Sequence, residues 1–228
     1  MERTETMEET VGMELSETIV KLEHVKKAYK GNVLFTDLNF QVQRGESCAI
    51  VGANGSGKSV LLKMICGLVR PDDGNVIVRG EKVEDGKFPK DIGVILDNAG
   101  FLPNETGLKN LSIIAGILKK VTREELEATM CLVGLNPASQ VKVGKYSLGM
   151  KQRLAIAQAL MEKPSLLILD EPFNAIDPDT VMDFQSLLGR LNKEEGVTLL
   201  MTSHRQEDIQ GLCKSIYQID SKSLKSIA

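Results

Sequence analysis

Eight consecutive residues, Gly52, Ala53, Asn54, Gly55, Ser56, Gly57, Lys58 and Ser59, hold the densest set of chemically useful groups in this chain. Their spacing, G-x-x-x-x-G-K-[ST], is one that cradles phosphate. The glycines allow a tight curl in which successive backbone N–H groups point at phosphate oxygens, at the positive end of the helix dipole that follows. Lys58 would reach the β- and γ-phosphates of a nucleotide, and the Ser59 hydroxyl would ligate Mg²⁺. Val60, the next residue, is counted with the same binding segment.

Further along the chain, Asp170 and Glu171 end an apolar run, and His204 follows another. A carboxylate such as Asp170 suits the Mg²⁺ of a bound nucleotide, usually through a coordinated water. Glu171 could orient or deprotonate a water in line with the terminal phosphate. His204 could hydrogen-bond that phosphate. Any one of these alone has an ordinary structural reading: a helix-capping turn for the acids, a hydrogen-bonding strand end for the histidine.

These groups need elements that deliver them to one place. Residues 48–51 read as a short buried strand before the phosphate loop, and residues 60–68 as a helix after it. Residues 166–169 are four consecutive apolar residues, the pattern of a parallel strand covered on both faces. Residues 198–203 form the strand leading to His204. Open parallel sheets bind ligands beyond the carboxyl ends of their strands, which is where all three groups then lie.

The remaining chain supports that sheet. Alternating residues 19–25 and the run through Leu34, Leu38, Phe40 and Val42 predict antiparallel strands, with residues 75–80 closing that layer. Residues 91–97 predict a further strand, ending on Asp97. Helices are expected over residues 107–119, from a capping box at Thr122 and Glu125 to Gly134, over residues 147–161, after the Asp177-Pro178 cap, and over residues 205–213. The last strand, residues 216–219, is expected at the edge. Residues 1–18, with six glutamates against Arg3, read as an acidic, solvated tail before a domain spanning residues 19–228.

Bulk properties narrow the setting. A chain of 228 residues accommodates one α/β domain with a full core, or at most two small domains. A net charge of −3 gives no global attraction to nucleic acid, and no nucleic-acid partner is expected. The four cysteines are far apart, predicting that most are reduced core thiols in a cytosolic protein. The apolar runs are shorter than the roughly 18 to 20 residues that cross a bilayer. A membrane role would therefore come through a partner.

With the phosphate loop, Asp170-Glu171 and His204 in this order, residues 19–220 resemble the ATP-binding cassette (ABC) ATPases. The resemblance implies a P-loop NTPase fold, α/β with a mainly parallel sheet, an N-terminal antiparallel β-layer and a helical subdomain inserted at about residues 100–160. It also implies Tyr29 stacking on adenine, residues 52–59 as Walker A, Asp170 as the Walker B acid and Glu171 as the catalytic carboxylate. Residues 174–177 would be the D-loop and His204 the switch histidine. Residues 146–150, with Ser147 and Gly149 retained but Leu148 and Met150 departing from the usual pattern, correspond to the signature segment. In the family Ser147 and Gly149 would meet ATP bound by a second cassette, a homodimer or paired cassette sandwiching two Mg·ATP.

Asp97 stands where the family usually has a metal-contacting glutamine. Together with residues 147–153 and 100–103, it resembles the bacitracin and lantibiotic-immunity exporter branch. The implied function is the ATP-hydrolysing subunit of an exporter, peripheral on the inner face of the membrane through separate permease subunits. The alternative is a soluble ABC-type ATPase without a membrane partner. A small P-loop kinase would lack both the signature segment and the paired acids.

Overall fold

The computed structural model describes residues 18–29, 31–84, 87–96, 100–118, 120–174, 176–205, 207–220 and 222–227. Residues 1–17 of the expected 1–18 tail and Asp97 lie outside the described residues, and Thr18 belongs to the first strand instead of the tail. Strand β1 (Thr18–Tyr29) pairs antiparallel with β2 (Asn32–Gln43) on one side and β4 (Asp73–Val78) on the other, and β5 (Glu81–Lys82) lies beyond β4. This is the expected antiparallel layer, except that β5 rather than β4 closes it.

The second sheet has the order β10-β9-β3-β8-β7-β6. Its strands β3 (Ser47–Val51), β6 (Ile92–Ile95), β7 (Leu166–Leu169), β8 (Thr198–Ser203) and β9 (Ser215–Asp220) are parallel; only β10 (Ser223–Ser226) runs antiparallel, against β9. Every residue of β3, β7 and β8 is buried, the signature of strands covered on both faces. Period-2 alternation sorts their side chains. Ile50, Ile168 and Leu200 join a core with β1, β2 and helix α1 (Lys58–Ile65), while Val51, Leu167 and Leu199 join a core with α4 (Leu148–Leu160) and α5 (Pro178–Glu195).

Between β6 and β7 the chain forms α2 (Gly107–Leu118), α3 (Arg123–Leu132) and α4, the segment read from sequence as the helical insertion. Local chemistry sets their limits. Thr122 Oγ1 accepts from the Glu125 N–H at 3.2 Å while the Glu125 carboxylate accepts from the Thr122 N–H at 3.0 Å, the reciprocal capping box. Ser147 caps α4 through the Met150 N–H, and Asp177 caps α5 with Pro178 in its first turn. At Gly93 a side chain would sit 2.2 Å from the Ala159 carbonyl, so only glycine lets β6 approach α4.

Two expectations at the carboxyl-terminal end are corrected. Residues 207–212 form turns, not a helix: Ser203 Oγ accepts the Arg205 N–H, and Gly211 adopts φ +79°, so an i→i−4 ladder does not build. Strand β9 is not at the edge, because β10 folds back against it through residues 223–226.

The turn at Asp72 fixes the end of β1. Its carboxylate accepts from Lys27 Nζ at 2.8 Å and from the Ala28 N–H at 2.6 Å, next to Tyr29. The Lys27 bond first, and the Ala28 amide second, hold the Asp72 carboxyl below its ordinary range. A lowered folded-state pKa contributes stability above the unfolded value near 4, lost as pH falls through the folded value. Asp72→Asn is therefore expected to unfold at lower urea than the parent at pH 7, and to lose less stability on acidification from about pH 5 to pH 2. Urea midpoints across that range check both signs.

Candidate functional site

Parallel register sets the geometry. Val51 of β3 lies opposite Ser203 of β8, and Leu169 of β7 opposite Met201, so the carboxyl ends of β3, β8 and β7 finish nearly flush. The phosphate loop leaves β3 there, Asp170 and Glu171 leave β7, and His204 leaves β8. The structure brings together the groups that the sequence scattered over more than 150 positions.

The loop is built for close approach. Gly57 adopts φ +108°, and a side chain there would stand 2.9 Å from Phe35 Cζ on β2. From Gly57 the backbone enters α1, whose first N–H groups lack helical partners. Lys58 is buried, with its ammonium donating to the carbonyls of Gly52 at 2.8 Å and Ala53 at 3.3 Å. The same Nζ lies 3.4 Å from one oxygen of Glu171. The other Glu171 oxygen is 2.9 Å from His204 Nδ1, so the carboxylate bridges a lysine and a histidine.

Glu171 sits in left-handed backbone, φ +45°, a conformation that costs a non-glycine residue free energy and persists only where neighbours impose it. Thr202 Oγ1 accepts the Glu171 N–H at 2.9 Å and donates to Asp170 Oδ1 at 2.5 Å. The Asp170 N–H donates to the Ile95 carbonyl at 2.8 Å, extending β7 by one step toward β6. Gln152 of α4 donates to the Pro172 carbonyl at 2.9 Å, tying the helix that Ser147 caps to the turn after Glu171.

A cleft of about 430 Å³ opens over the loop. Its walls include Tyr29 and Asn32 from the β1–β2 end, Asn54, Gly55, the segment from Gly57 to Val60, and Glu171. Tyr29 lines this cleft and is 55% exposed. Ser147 and Gly149 line no part of this cleft; Gly149 lies instead beside Thr180 and Asp177 at the start of α5. Thr202 and Gln152 were given no role by the sequence reading. The signal for Thr202 was a hydroxyl at the end of the apolar run of β8.

The residues present fit a phosphate-bearing ligand with Mg²⁺. The Ser56 hydroxyl is buried without a hydrogen-bond partner among the described residues, a polar atom placed in the loop that a phosphate oxygen would satisfy. Ser59 and Asp170 offer hard oxygen ligands. Among the described residues no group of three or more His, Cys, Asp or Glu could hold a metal ion. The cysteines stay outside this chemistry: all four are free, and burial pushes the thiols of Cys66 and Cys213 up to about 12 and that of Cys48 higher still.

Comparison with known proteins agrees. A family model described as ABC transporter matches residues 35–174. The ABC transporter ATP-binding protein YybJ of Bacillus subtilis is 36% identical over 91% of this chain and 95% of its own length. The bacitracin transport ATP-binding protein BcrA of Enterococcus faecalis is 34% identical over 90% of this chain and 67% of its own. Among solved structures, the ATP-binding cassette MJ0796, described as a dimeric post-hydrolysis state bound to ADP and Pi, superimposes with a TM-score of 0.80 at 26% identity, over 90% of this chain and 96% of that one.

Gly57→Ala should weaken nucleotide binding by about 10-fold or more, since it combines an unfavourable φ with a clash at Phe35. Titration with a fluorescent ATP analogue gives the number. Unchanged affinity would mean that the loop has room the geometry denies.

Proposed function

We propose, from the premise that this chain belongs to the ABC transporter family as an ATP-binding subunit, that it hydrolyses Mg·ATP at the edge of its parallel sheet and drives export through separate transmembrane subunits. The observation that carries the reading is the Glu171 carboxylate held between Lys58 and His204 at the carboxyl ends of three adjacent strands.

In this mechanism residues 52–60 wrap the phosphates, with Lys58 leaving its loop carbonyls for the β- and γ-oxygens. Tyr29 stacks on the adenine. Ser59 and Asp170 would hold Mg²⁺, which would supply neutralising charge at the phosphate oxygens. Glu171 orients the attacking water and accepts its proton, and His204, hydrogen-bonded to Glu171 Oε2, holds that carboxylate in aim and reaches the γ-phosphate. The contribution is mainly positional and electrostatic, as phosphoryl transfer requires.

Ser147 and Gly149 complete the site of a second copy. Their absence from the lining of their own chain's cleft supports this, as does the exposed apolar side chain between them in sequence, Leu148 at 51%. MJ0796, described as dimeric, offers the precedent. The pair is a homodimer or two paired cassettes, sandwiching two ATP molecules head to tail.

The transmembrane partner docks on the insertion. Among the described residues no helix is long and apolar enough to cross a membrane, yet α2 exposes Ile113 at 43% and Ile117 at 76%, one turn apart, with Leu102 exposed in the preceding loop. Such a face suits an apolar partner and would hold the subunit on the inner surface of the membrane. Likeness to a bacitracin transport protein supports export of a peptide-antibiotic type of cargo.

Glu171→Gln is expected to lower kcat for ATP hydrolysis by about 100-fold or more while nucleotide affinity and ATP-dependent dimerisation survive. Phosphate release, analogue binding and size-exclusion chromatography with Mg·ATP separate these. Normal hydrolysis by the variant would overturn the assignment.

A further inference from the structure

The structure assigns Thr202 as a positioning residue that locks the two active-site carboxylates to each other through one hydroxyl. This rests on the reading of Asp170 and Glu171 given above, but its geometry is independent of it. Continuing the register of β7 and β8 beyond Leu169 opposite Met201 puts Asp170 level with Thr202. Alternation puts both on the face of Ile168 and Leu200, the side packed against α1 and the phosphate loop.

The hydroxyl of Thr202 has one proton and two lone pairs. The proton goes to Asp170 Oδ1 at 2.5 Å, which sets the orientation of that carboxylate. A lone pair takes the N–H of Glu171 at 2.9 Å. That second bond holds the amide side of Glu171 at φ +45°, while the Asn174 N–H, donating to the Glu171 carbonyl at 3.1 Å, holds its other side. From that backbone the Glu171 side chain turns back toward Lys58 and His204 instead of continuing along the strand.

Thr202 is fully buried in β8 after the apolar Leu199, Leu200 and Met201 and before the buried Ser203, and its hydroxyl is used in the two bonds above. Threonine is also β-branched and stiff at χ1, which keeps the hydroxyl aimed at the strand end. Valine has nearly the same shape and keeps the packing, but offers neither donor nor acceptor. Serine keeps the hydroxyl.

The test compares full-length parent, Thr202→Val and Thr202→Ser. Deuterium exchange of the segment 167–174, without nucleotide, reads the Glu171 backbone directly; steady-state hydrolysis gives kcat, KM and the half-saturating Mg²⁺ concentration; thermal unfolding reads stability. Thr202→Val is expected to exchange faster in that segment, to need more Mg²⁺, and to lose kcat on the order of 10- to 100-fold, because a misaimed general base costs that much. Its KM should stay within about threefold, since the phosphate loop is untouched. Thr202→Ser should restore exchange protection and most of kcat.

Unchanged exchange and unchanged kcat in Thr202→Val would overturn the proposal. So would a loss of kcat that Thr202→Ser fails to restore and that follows the thermal midpoint, since that is the behaviour of a core residue alone. Failure of the catalytic reading looks different: Glu171→Gln would turn over normally, while the exchange change in Thr202→Val would still support the lock.

Discussion

Parallel pairing of three fully buried strands is the constraint on which the rest depends. Because β3, β8 and β7 are covered on both faces, any one-residue slip would carry apolar side chains out of one core and into the other, so their register is strongly determined. That register makes the three carboxyl ends flush and puts the phosphate loop, the acid pair and His204 on one edge. The polar groups gathered there are too many to leave unpaired in a half-buried place. Lys58 donates to loop carbonyls, Glu171 bridges Lys58 and His204, and Thr202 joins Asp170 to Glu171. The network keeps the groups in place by hydrogen bonds that a nucleotide and its metal can exchange for their own.

The antiparallel layer and the helices serve the same edge from opposite sides. Strand β2 carries Phe35 against Gly57 and so shapes the loop from outside. The turn at Asp72 fastens the end of β1 where Tyr29 stands over the cleft. On the other face, α4 joins the insertion to the turn after Glu171 through Gln152 and Pro172, and Arg153 of the same helix bonds the Val133 carbonyl and Asp183. One helix therefore bonds the end of α3 in the insertion, the turn after the acid pair, and the amino-terminal half of α5.

Much of this was legible in the sequence because it is written in local chemistry. The spacing of Gly52, Gly57, Lys58 and Ser59, the apolar run ending at Asp170 and Glu171, the cap at Asp177 before Pro178 and the capping box at Thr122 each specify an element within a few residues. What the sequence hid depends on contacts far along the chain. Strand β10 has only four residues and exists because β9 offers it an edge. Residues 205–213 have helical spacing, but Ser203 and Gly211 divert the backbone into turns. Thr202 looks like one more β-branched strand residue until the register puts it beside Asp170. Asp97 lies outside the described residues.

The central claim is that each ATP site is shared between two chains, the loop with its acids from one and Ser147 with Gly149 from the other. Mixing two inactive variants tests it most directly. Lys58→Ala ruins the loop and spares the signature segment; Ser147→Arg does the reverse. Each alone should hydrolyse ATP poorly, and their mixture should recover activity, because a mixed dimer rebuilds one intact site from an intact loop and an intact signature. Full activity of Ser147→Arg by itself, or a mixture no better than its parts although mixed dimers form, would contradict the account.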